Sequence, residues 1–161
     1  AANFLFTPGI SVLKEALIAH TNTDVHSMHD PTEGGLATGL WEVTVAAKVG
    51  ILVEEDKIPI LPECKEICDK LGLNPLGLLA SGSLIITLPP SDTPKLLSVL
   101  KEAGISAAVV GKVVKPEEGL KMHTAKGIEP LPQFARDELA RFLESYEAPA
   151  KQRSTRKKVK A

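Results

Sequence analysis

The sequence predicts a single α/β domain of the α+β type. Segments whose apolar residues recur at helical spacing alternate with short apolar runs, which is typical of helices and strands that share one core. Glycine and proline stand between many of these segments and mark their ends. The chain has 161 residues, of which 43% are hydrophobic and 24% charged, and these values suit one globular core.

The composition also limits the class of function. The formal net charge is -1, so we expect no general attraction to nucleic acid. No apolar run approaches the roughly 18 residues that a membrane span needs, and the first residues lack the pattern of a signal peptide. Two cysteines without a secretory signal indicate a reducing compartment. We therefore expect a cytoplasmic protein with neither a membrane nor nucleic acid as partner.

The first third of the chain is predicted to form two helices and two strands. A helix is expected over 9–20, where the apolar residues fall on one side. A longer helix is expected over 31–48, with Gly50 as its C-cap. Short strands are predicted over 25–28 and 51–54.

The rest of the chain continues the alternation. A helix over 62–71 ends at Gly72, and 76–80 is a candidate short helix. The nearly continuous apolar run 84–88 predicts a strand buried on both faces. Together with the following helix and strand, it is expected to form a strand–helix–strand unit over 84–114. The later elements are a helix that begins at Ser91 or Asp92 and runs to about 103, strands over 107–114 and 120–124, and an amphipathic helix over 133–146.

The C-terminal residues have a different composition. Residues 147–161 contain six lysines and arginines and no apolar period. Such a run is typical of a solvated, disordered tail, and the alternative is an arm that binds nucleic acid or another anionic partner. We predict a globular domain over 1–146 and a basic, disordered tail over 147–161.

The run from Asp30 to Gly35 contains the most informative residues. Asp30 fits a helix N-cap, Pro31 fits the first helical position, and Glu33 completes a capping box. The glycines Gly34 and Gly35 do not suit a helix start, because each costs about 1 kcal/mol against alanine. Two explanations stay open. The glycines allow a neighbouring segment to pack closely, or their N–H groups bind a phosphate at the helix N-terminus.

The cysteines and histidines offer no second site. Cys64 and Cys68 lie four residues apart on one predicted helix, and we expect structural thiols because no second pair of ligands accompanies them. His26 and His29 lie beside the motif. We expect such a histidine to anchor the loop, with a role as metal ligand or proton carrier as the alternative. No metal site is predicted from these residues.

The run from His29 to Thr38 resembles the Asp-Pro-Thr-x-Gly-Gly-Leu-Ala motif of the HypE group of hydrogenase expression/formation proteins. That group belongs to the AIR synthase-related (PurM-like) superfamily. Further segments follow in the order of the family, and the resemblance covers about residues 7–125. These segments are Pro8–Val12, Gly50–Ile51, Ile58–Ile60, Leu71–Leu76, Ala80–Leu84 and Val110–Val113.

The resemblance implies the C-terminal domain of this superfamily, with a mixed β-sheet and helices packed mainly on one side. It also implies ATP and Mg²⁺ as cofactors of the complete protein, an N-terminal ATP-binding domain outside this chain, dimers formed through that domain and a partner protein in hydrogenase maturation. This chain would cover the phosphate side of an interdomain cleft. Asp30 would be a candidate to contact Mg²⁺ through water. The residues expected to face the cleft are Asp30, Thr32, Gly34, Gly35, Ser81 and Gly82.

Three departures from the family pattern weaken the expectation of catalysis. Glu33 stands where arginine is usual, and Ala80–Ser83 replaces an Asn-Glu-Gly-Lys loop whose glutamate is a candidate base. The last residues also lack the terminal cysteine whose thiol the family's chemistry needs. The catalytic residues therefore stay unassigned. The leading hypothesis is half of an ATP-dependent enzyme, inactive alone, and the alternative is a non-catalytic binding or scaffold module.

Overall fold

The computed structural model describes residue 6 and residues 9–145, so the predicted tail lies outside the described residues. The helices are α1 (Leu13–Asn22), α2 (Gly35–Ala47), α3 (Pro62–Leu71), α4 (Thr93–Glu102) and α5 (138–145). The strands are β1 (Ser27–His29), β2 (Gly50–Glu54), β3 (Ile85–Thr87), β4 (Gly111–Val114), β5 (Leu120–Thr124) and β6 (Gly127–Pro130). Short 3₁₀ turns span Glu55–Lys57, Pro75–Gly77 and Pro116–Glu118.

The larger sheet has four strands in the order β4-β2-β5-β6. Strands β2 and β5 are parallel, with Val53 opposite Met122, whereas β4 and β6 pair antiparallel with their neighbours. The sheet is therefore mixed, as the resemblance implied. Strand β6 was not predicted. It is an edge strand, where Pro130 is tolerated because only one side of the strand needs hydrogen-bond donors.

Helix α2 packs on one face of this sheet and forms the main core with it. Alternate residues of β2 and β5 point toward α2, and apolar residues of α2 pack against them. The 3₁₀ turn Pro75–Gly77 adds Leu76 to this core. The opposite face carries polar residues, including the pair Glu54 and His123, whose Oε2 and Nδ1 atoms lie 2.9 Å apart. The buried members of the core are Ala37, Leu40, Val43, Ile51, Val53, Leu76, Met122 and Leu131.

The second sheet is a two-stranded antiparallel ribbon of β1 and β3. Its strands are joined across the ribbon by a 2.6 Å hydrogen bond between the hydroxyls of Ser27 and Thr87. Helices α1 and α4 pack on it around a smaller core, whose buried members are Ala19, Leu96 and Leu100. The ribbon and its two helices are called the ribbon half below, and α2 with the four-stranded sheet is called the sheet half.

Several predicted boundaries and burials were wrong. Helix α1 begins at Leu13 rather than at residue 9, and α5 begins at residue 138 rather than 133. Helix α2 ends at Ala47 and its C-cap is Lys48, in the left-handed conformation with φ of 53°, so Gly50 is not the C-cap and instead begins β2.

Strand β3 was expected to be buried on both faces and to share a sheet with the strand after α4. It is only half-buried, because it pairs with β1 alone. Strand β4 belongs to the other sheet, so the predicted strand–helix–strand unit does not exist. Among the residues that the structure describes, no helix is both long and apolar enough to cross a bilayer.

Candidate functional site

The Asp30–Gly35 motif forms a turn before α2 and not the first turn of the helix. Helix α2 begins at Gly35, and its N-cap is Gly34, with φ of 75° and no capping side chain. The predicted capping box of Asp30 and Glu33 was therefore wrong. The physical reason lies in the two glycines, whose positive φ angles reverse the chain and delay the right-handed helix.

Each glycine of the motif is required by its surroundings. A Cβ atom added to Gly35 would lie 2.5 Å from the carbonyl oxygen of Leu76, and it would also overlap the carbonyl oxygen of Leu78. A Cβ atom on Gly34 would overlap the hydroxyl of Thr38. Close packing by the chain itself, one of the two explanations left open by the sequence, thus accounts for Gly35.

One carbonyl group joins the motif to the loop that follows residue 79. The oxygen of Thr32 accepts hydrogen bonds from Gly35 N–H and Ala80 N–H, both at 3.2 Å. Ser83 N–H in turn donates to the Ala80 carbonyl at 3.0 Å, which closes the loop as a tight turn. The side chains of Asp30, Thr32 and Ser81 and the backbone of Gly82 are exposed. Four of the six predicted site residues therefore lie on two exposed segments that one carbonyl holds together.

The remaining two, Gly34 and Gly35, are buried, and each N–H already has a partner. Gly35 N–H belongs to the turn itself through Thr32. Gly34 N–H donates to Oδ2 of Asp137 at 3.2 Å, and Oδ1 of the same carboxylate accepts from Leu139 N–H at 2.9 Å. Asp137 was missed from the sequence. Its position just before a helical pattern is the signal for an N-cap, which is the part it plays for α5.

An open cavity of about 490 Å³ lies beside the motif, between the start of α1 and strand β1. Of the six predicted residues, only Asp30 lines it. His29 also lines it, and its Nε2 atom lies 2.6 Å from Oε2 of Glu42 on α2. The other ring nitrogen, Nδ1, is 3.9 Å from Oδ1 of Asp30. His29 thus anchors the loop to α2, as expected, and the contribution of Glu42 was not foreseen.

The residues of the motif could hold Mg²⁺ only together with ligands from phosphate and solvent. Across the described part of the chain, His, Cys, Asp and Glu side chains form no group of three or more that could hold a metal ion. The Asp30 side chain is 71% exposed and carries the hard oxygen donors that Mg²⁺ prefers. One such carboxylate suits contact through water, with the other ligands supplied by phosphate and solvent.

The two cysteines behave as structural thiols. Both are free, and Cys68 is buried on α3. Burial raises the pKa of the Cys68 thiol to about 11, and the neighbouring Cys64 adds to the shift. A thiol with so high a pKa is protonated at neutral pH and is a poor nucleophile.

Comparison with known protein families gives a match over most of the chain. The model of the family described as AIR synthase related protein, C-terminal domain, matches residues 7–123. A putative hydrogenase expression/formation protein of Methanocaldococcus jannaschii is 37% identical over 105 residues, which are 64% of this chain and 31% of that protein. The carbamoyl dehydratase HypE of Rhodobacter capsulatus is 35% identical over 106 residues, with the same coverage of 64% and 31%. The chain therefore spans less than a third of the length of these curated relatives.

Solved structures of similar fold agree with this match. A crystal structure of the hydrogenase maturation protein HypE has a TM-score of 0.72 and 32% identity, covering 82% of this chain and 44% of that chain. HypE in complex with ATP has a TM-score of 0.64 and 35% identity, covering 71% and 37%. A HypE–HypF complex has a TM-score of 0.65 and 25% identity, covering 75% and 39%.

Proposed function

This chain belongs to the AIR synthase related proteins through their C-terminal domain, and from that premise we propose that it covers the phosphate side of an interdomain nucleotide cleft. The cleft would belong to an ATP-dependent protein of the HypE type. An N-terminal nucleotide-binding domain would supply the other wall. The boundaries we propose for this half are 1–146, followed by a basic tail over 147–161.

The observation that carries the proposal is the double hydrogen bond to the Thr32 carbonyl. It fixes the motif turn and the 80–83 loop side by side. Because loops held on a rigid frame are where binding residues concentrate, two exposed polar loops joined in this way suit a ligand surface. Both loops come from segments that the sequence had assigned to the cleft.

Each group in the two loops has a distinct part in the proposal. Asp30 would contact Mg²⁺ through water, and Thr32 and Ser81 would present hydroxyls to phosphate oxygens. Gly82 leaves the backbone of its loop open to a close ligand approach. Bound ATP would supply the phosphoryl group for activation of an acceptor. No catalytic base is assigned, because the loop has serine where the family pattern has glutamate.

The relatives support this assignment at the level of the family. HypE has been solved with ATP, and a HypE–HypF complex has also been solved. We therefore propose ATP and Mg²⁺ as cofactors of the complete protein. We also propose a homodimer, a maturation partner and a link to hydrogenase maturation.

A second function is favoured by one specific observation. Gly34 N–H already bonds to Asp137, so an internal carboxylate stands where a phosphate would be expected. Together with the missing glutamate, this contact suits a binding or scaffold module that has lost the ATP-dependent activity. The two functions differ in whether the loops bind nucleotide.

An amide NMR titration of the chain with Mg-ATP separates them, with adenosine as the control ligand that lacks phosphate. We expect saturable shifts at Asp30, Thr32 and residues 81–83 with Mg-ATP only. The amides of Gly119 and Gly127, in the sheet half, serve as internal references. The titration is then repeated with the remaining part of the M. jannaschii relative added. Flat spectra at the two loops in both experiments would refute the cleft assignment and favour the scaffold module.

A further inference from the structure

We propose that the open cavity beside the motif binds a primary alkylammonium ion, with the ammonium between His29 and Asp30 and the alkyl chain along the start of α1. The cavity has a volume of about 490 Å³, and both residues line it. The inference goes beyond the proposed function and does not depend on it, because its contacts use neither nucleotide nor metal. Asp30 is the one residue that the two proposed sites share.

The contact with Glu42 determines which nitrogen of His29 carries the hydrogen in the neutral ring. Nε2 lies 2.6 Å from Oε2 of Glu42, and a carboxylate oxygen can only accept a hydrogen bond. Nε2 is therefore the donor, which leaves the lone pair of Nδ1 as an acceptor. Nδ1 forms no hydrogen bond with any residue that the structure describes. The fold thus holds an imidazole acceptor in place without supplying its donor.

Asp30 places a second acceptor beside this lone pair. Its Oδ1 atom lies 3.9 Å from Nδ1, and two acceptors cannot bond to each other. A nitrogen with two N–H groups can lie about 2.8 Å from both atoms and so bridge them. A hydroxyl has one hydrogen and can donate to only one of the two. The pair therefore favours a primary amino group over an alcohol.

Charge distinguishes an ammonium ion from a neutral amide at this position. Asp30 and Glu42 place two carboxylates around one imidazole, and the residues that line the cavity include no lysine or arginine. Lys14, whose neighbour Leu13 lines the cavity, donates instead to the Ala103 carbonyl at 2.9 Å. An ammonium ion is attracted by both carboxylates, whereas an amide has no net charge.

The remaining lining suits an alkyl chain. Ile10 and Leu13 are more than half exposed, so the mouth of the cavity is open to solvent. A mainly apolar cavity with a few convergent polar groups is the usual form of a small-molecule site. The methylene groups of the ligand would lose contact with water against these side chains, which adds to affinity. The apolar residues of the lining are Ile10, Val12, Leu13, Ala16, Met28 and Leu84.

A lysine side chain has the same chemistry as a free alkylamine, because its ammonium follows a stem of four carbons. The basic run at the C-terminus contains such side chains. The experiment therefore separates a free amine from the lysines of this chain, which in that run are Lys151, Lys157, Lys158 and Lys160.

The test is an NMR titration of the full chain with n-butylammonium chloride, without nucleotide or metal. It follows the Nδ1 signal of His29 and the methyl signals of Leu13, Met28 and Leu84. We expect saturable shifts with a Kd of about 1 mM, because the Asp30 side chain is 71% exposed and water weakens its attraction for the ammonium.

Three further probes each remove one feature of the ligand. Butyltrimethylammonium keeps the charge and the chain without N–H groups, and 1-butanol keeps the chain without the charge. Methylammonium keeps the head group with a single carbon. Each should bind at least about fivefold more weakly than butylammonium.

Two variants of the turn form a matched pair. D30N removes the charge of one acceptor and should weaken butylammonium binding about fivefold. E33Q removes an exposed charge from the same turn, at a residue that does not line the cavity. As the control, E33Q should change the affinity less than about twofold.

A full-length variant with K151Q, K157Q, K158Q and K160Q identifies the source of the ammonium. Tighter binding of butylammonium to this variant than to the wild-type chain would support the site and show that the chain's own lysines occupy it. Equal binding would support the site with a free amine as its ligand.

Three results would overturn the inference. Butyltrimethylammonium that binds as tightly as butylammonium would reduce the effect to general charge attraction. Equal affinities of D30N and E33Q would remove Asp30 from the site. The third is the absence of saturable shifts in both the wild-type chain and the lysine variant. The Mg-ATP titration follows different groups, at residues 81–83, so failure of either titration leaves the other assignment standing.

Discussion

The sheet half and the ribbon half are built from the same kinds of element but differ in how many apolar residues they bury. In the sheet half, four strands and α2 enclose eight buried apolar residues. In the ribbon half, two strands and two helices enclose three, and Leu13 and Leu17 of α1 are more than half exposed, as is Ile10 before the helix. Both halves also expose apolar side chains, since Val45 and Ile128 of the sheet half are more than half exposed, so the two halves differ in the size of the buried core.

The candidate site lies at the junction of the two halves. The motif turn connects β1 of the ribbon to α2 of the sheet half, and the 80–83 loop leads back into β3. The cavity beside the motif is lined by residues of α1 and β1 and therefore belongs to the ribbon half. The larger and the smaller core thus meet where we place the ligand, and ligand sites are commonly found where two packed units meet.

The largest expected effect on stability comes from truncating a buried leucine in the core of the sheet half. Leu40 on α2 is 4% exposed and Leu96 on α4 is 5% exposed, so L40A and L96A are matched in burial and chemistry. We expect L40A to cost about 4 kcal/mol and L96A about 2 to 3 kcal/mol, because the thinner ribbon half collapses more easily around a cavity. Urea unfolding followed by circular dichroism measures both. Equal losses would show that the two halves are equally well packed.

The next effect tests the junction. G35A places a Cβ against the carbonyls of Leu76 and Leu78 at a φ of 66°, and we expect a loss of about 3 kcal/mol. Gly72 is the matched control, because it has a φ of 65° and no atom within 4 Å of an added Cβ. G72A should cost about 1 kcal/mol, from the left-handed conformation alone. The difference between the two variants measures the close packing at the motif.

A smaller effect concerns the thiols of α3. The folded pKa of Cys68 is raised from 9.0 to about 11, so its contribution to stability is complete below pH 9 and is lost as the pH rises toward 11. We expect the melting temperature of the wild-type chain to fall across this interval, and the fall should be shallower in C68A. At pH 8, iodoacetamide should modify Cys64 before Cys68. Faster modification of Cys68 would contradict a buried, protonated thiol.

The smallest effect is expected at the C-terminus, beyond the residues that the structure describes. Deletion of residues 149–161 should leave the melting temperature unchanged, because a solvated basic run contributes no packing. Differential scanning calorimetry of the full and shortened chains makes the comparison. A large loss of stability would place the domain boundary beyond residue 146.

Local signals sufficed for some elements of the fold. Helix α3 has the predicted bounds because Pro62 and Gly72 encode its start and end directly. Strand β5 also agrees at both ends. The partners of a strand are not encoded locally, and so the assignment of β3 and β4 to different sheets could not be predicted.

The site shows the same division between local and distant causes. The Asp-Pro-Thr-Glu run has the local signature of a capped helix, and the contact of Gly35 with Leu76 and Leu78 overrides it. Asp30, Thr32, Ser81 and Gly82 are exposed. That they face a cleft, as the resemblance implies, stays a prediction. The partners Glu42 and Asp137 depend on which helices meet in space. No spacing in the sequence indicates that Asp137 lies beside Gly34.

The bifurcated acceptor at Thr32 has an evolutionary consequence. Both of its hydrogen bonds come from backbone N–H groups, so the joint between the two loops is independent of the side chains around it. The side chains at positions 33 and 81 can therefore vary while the two loops keep their spacing. A single substitution at either position can thus change the chemistry of this surface without changing the frame that carries it.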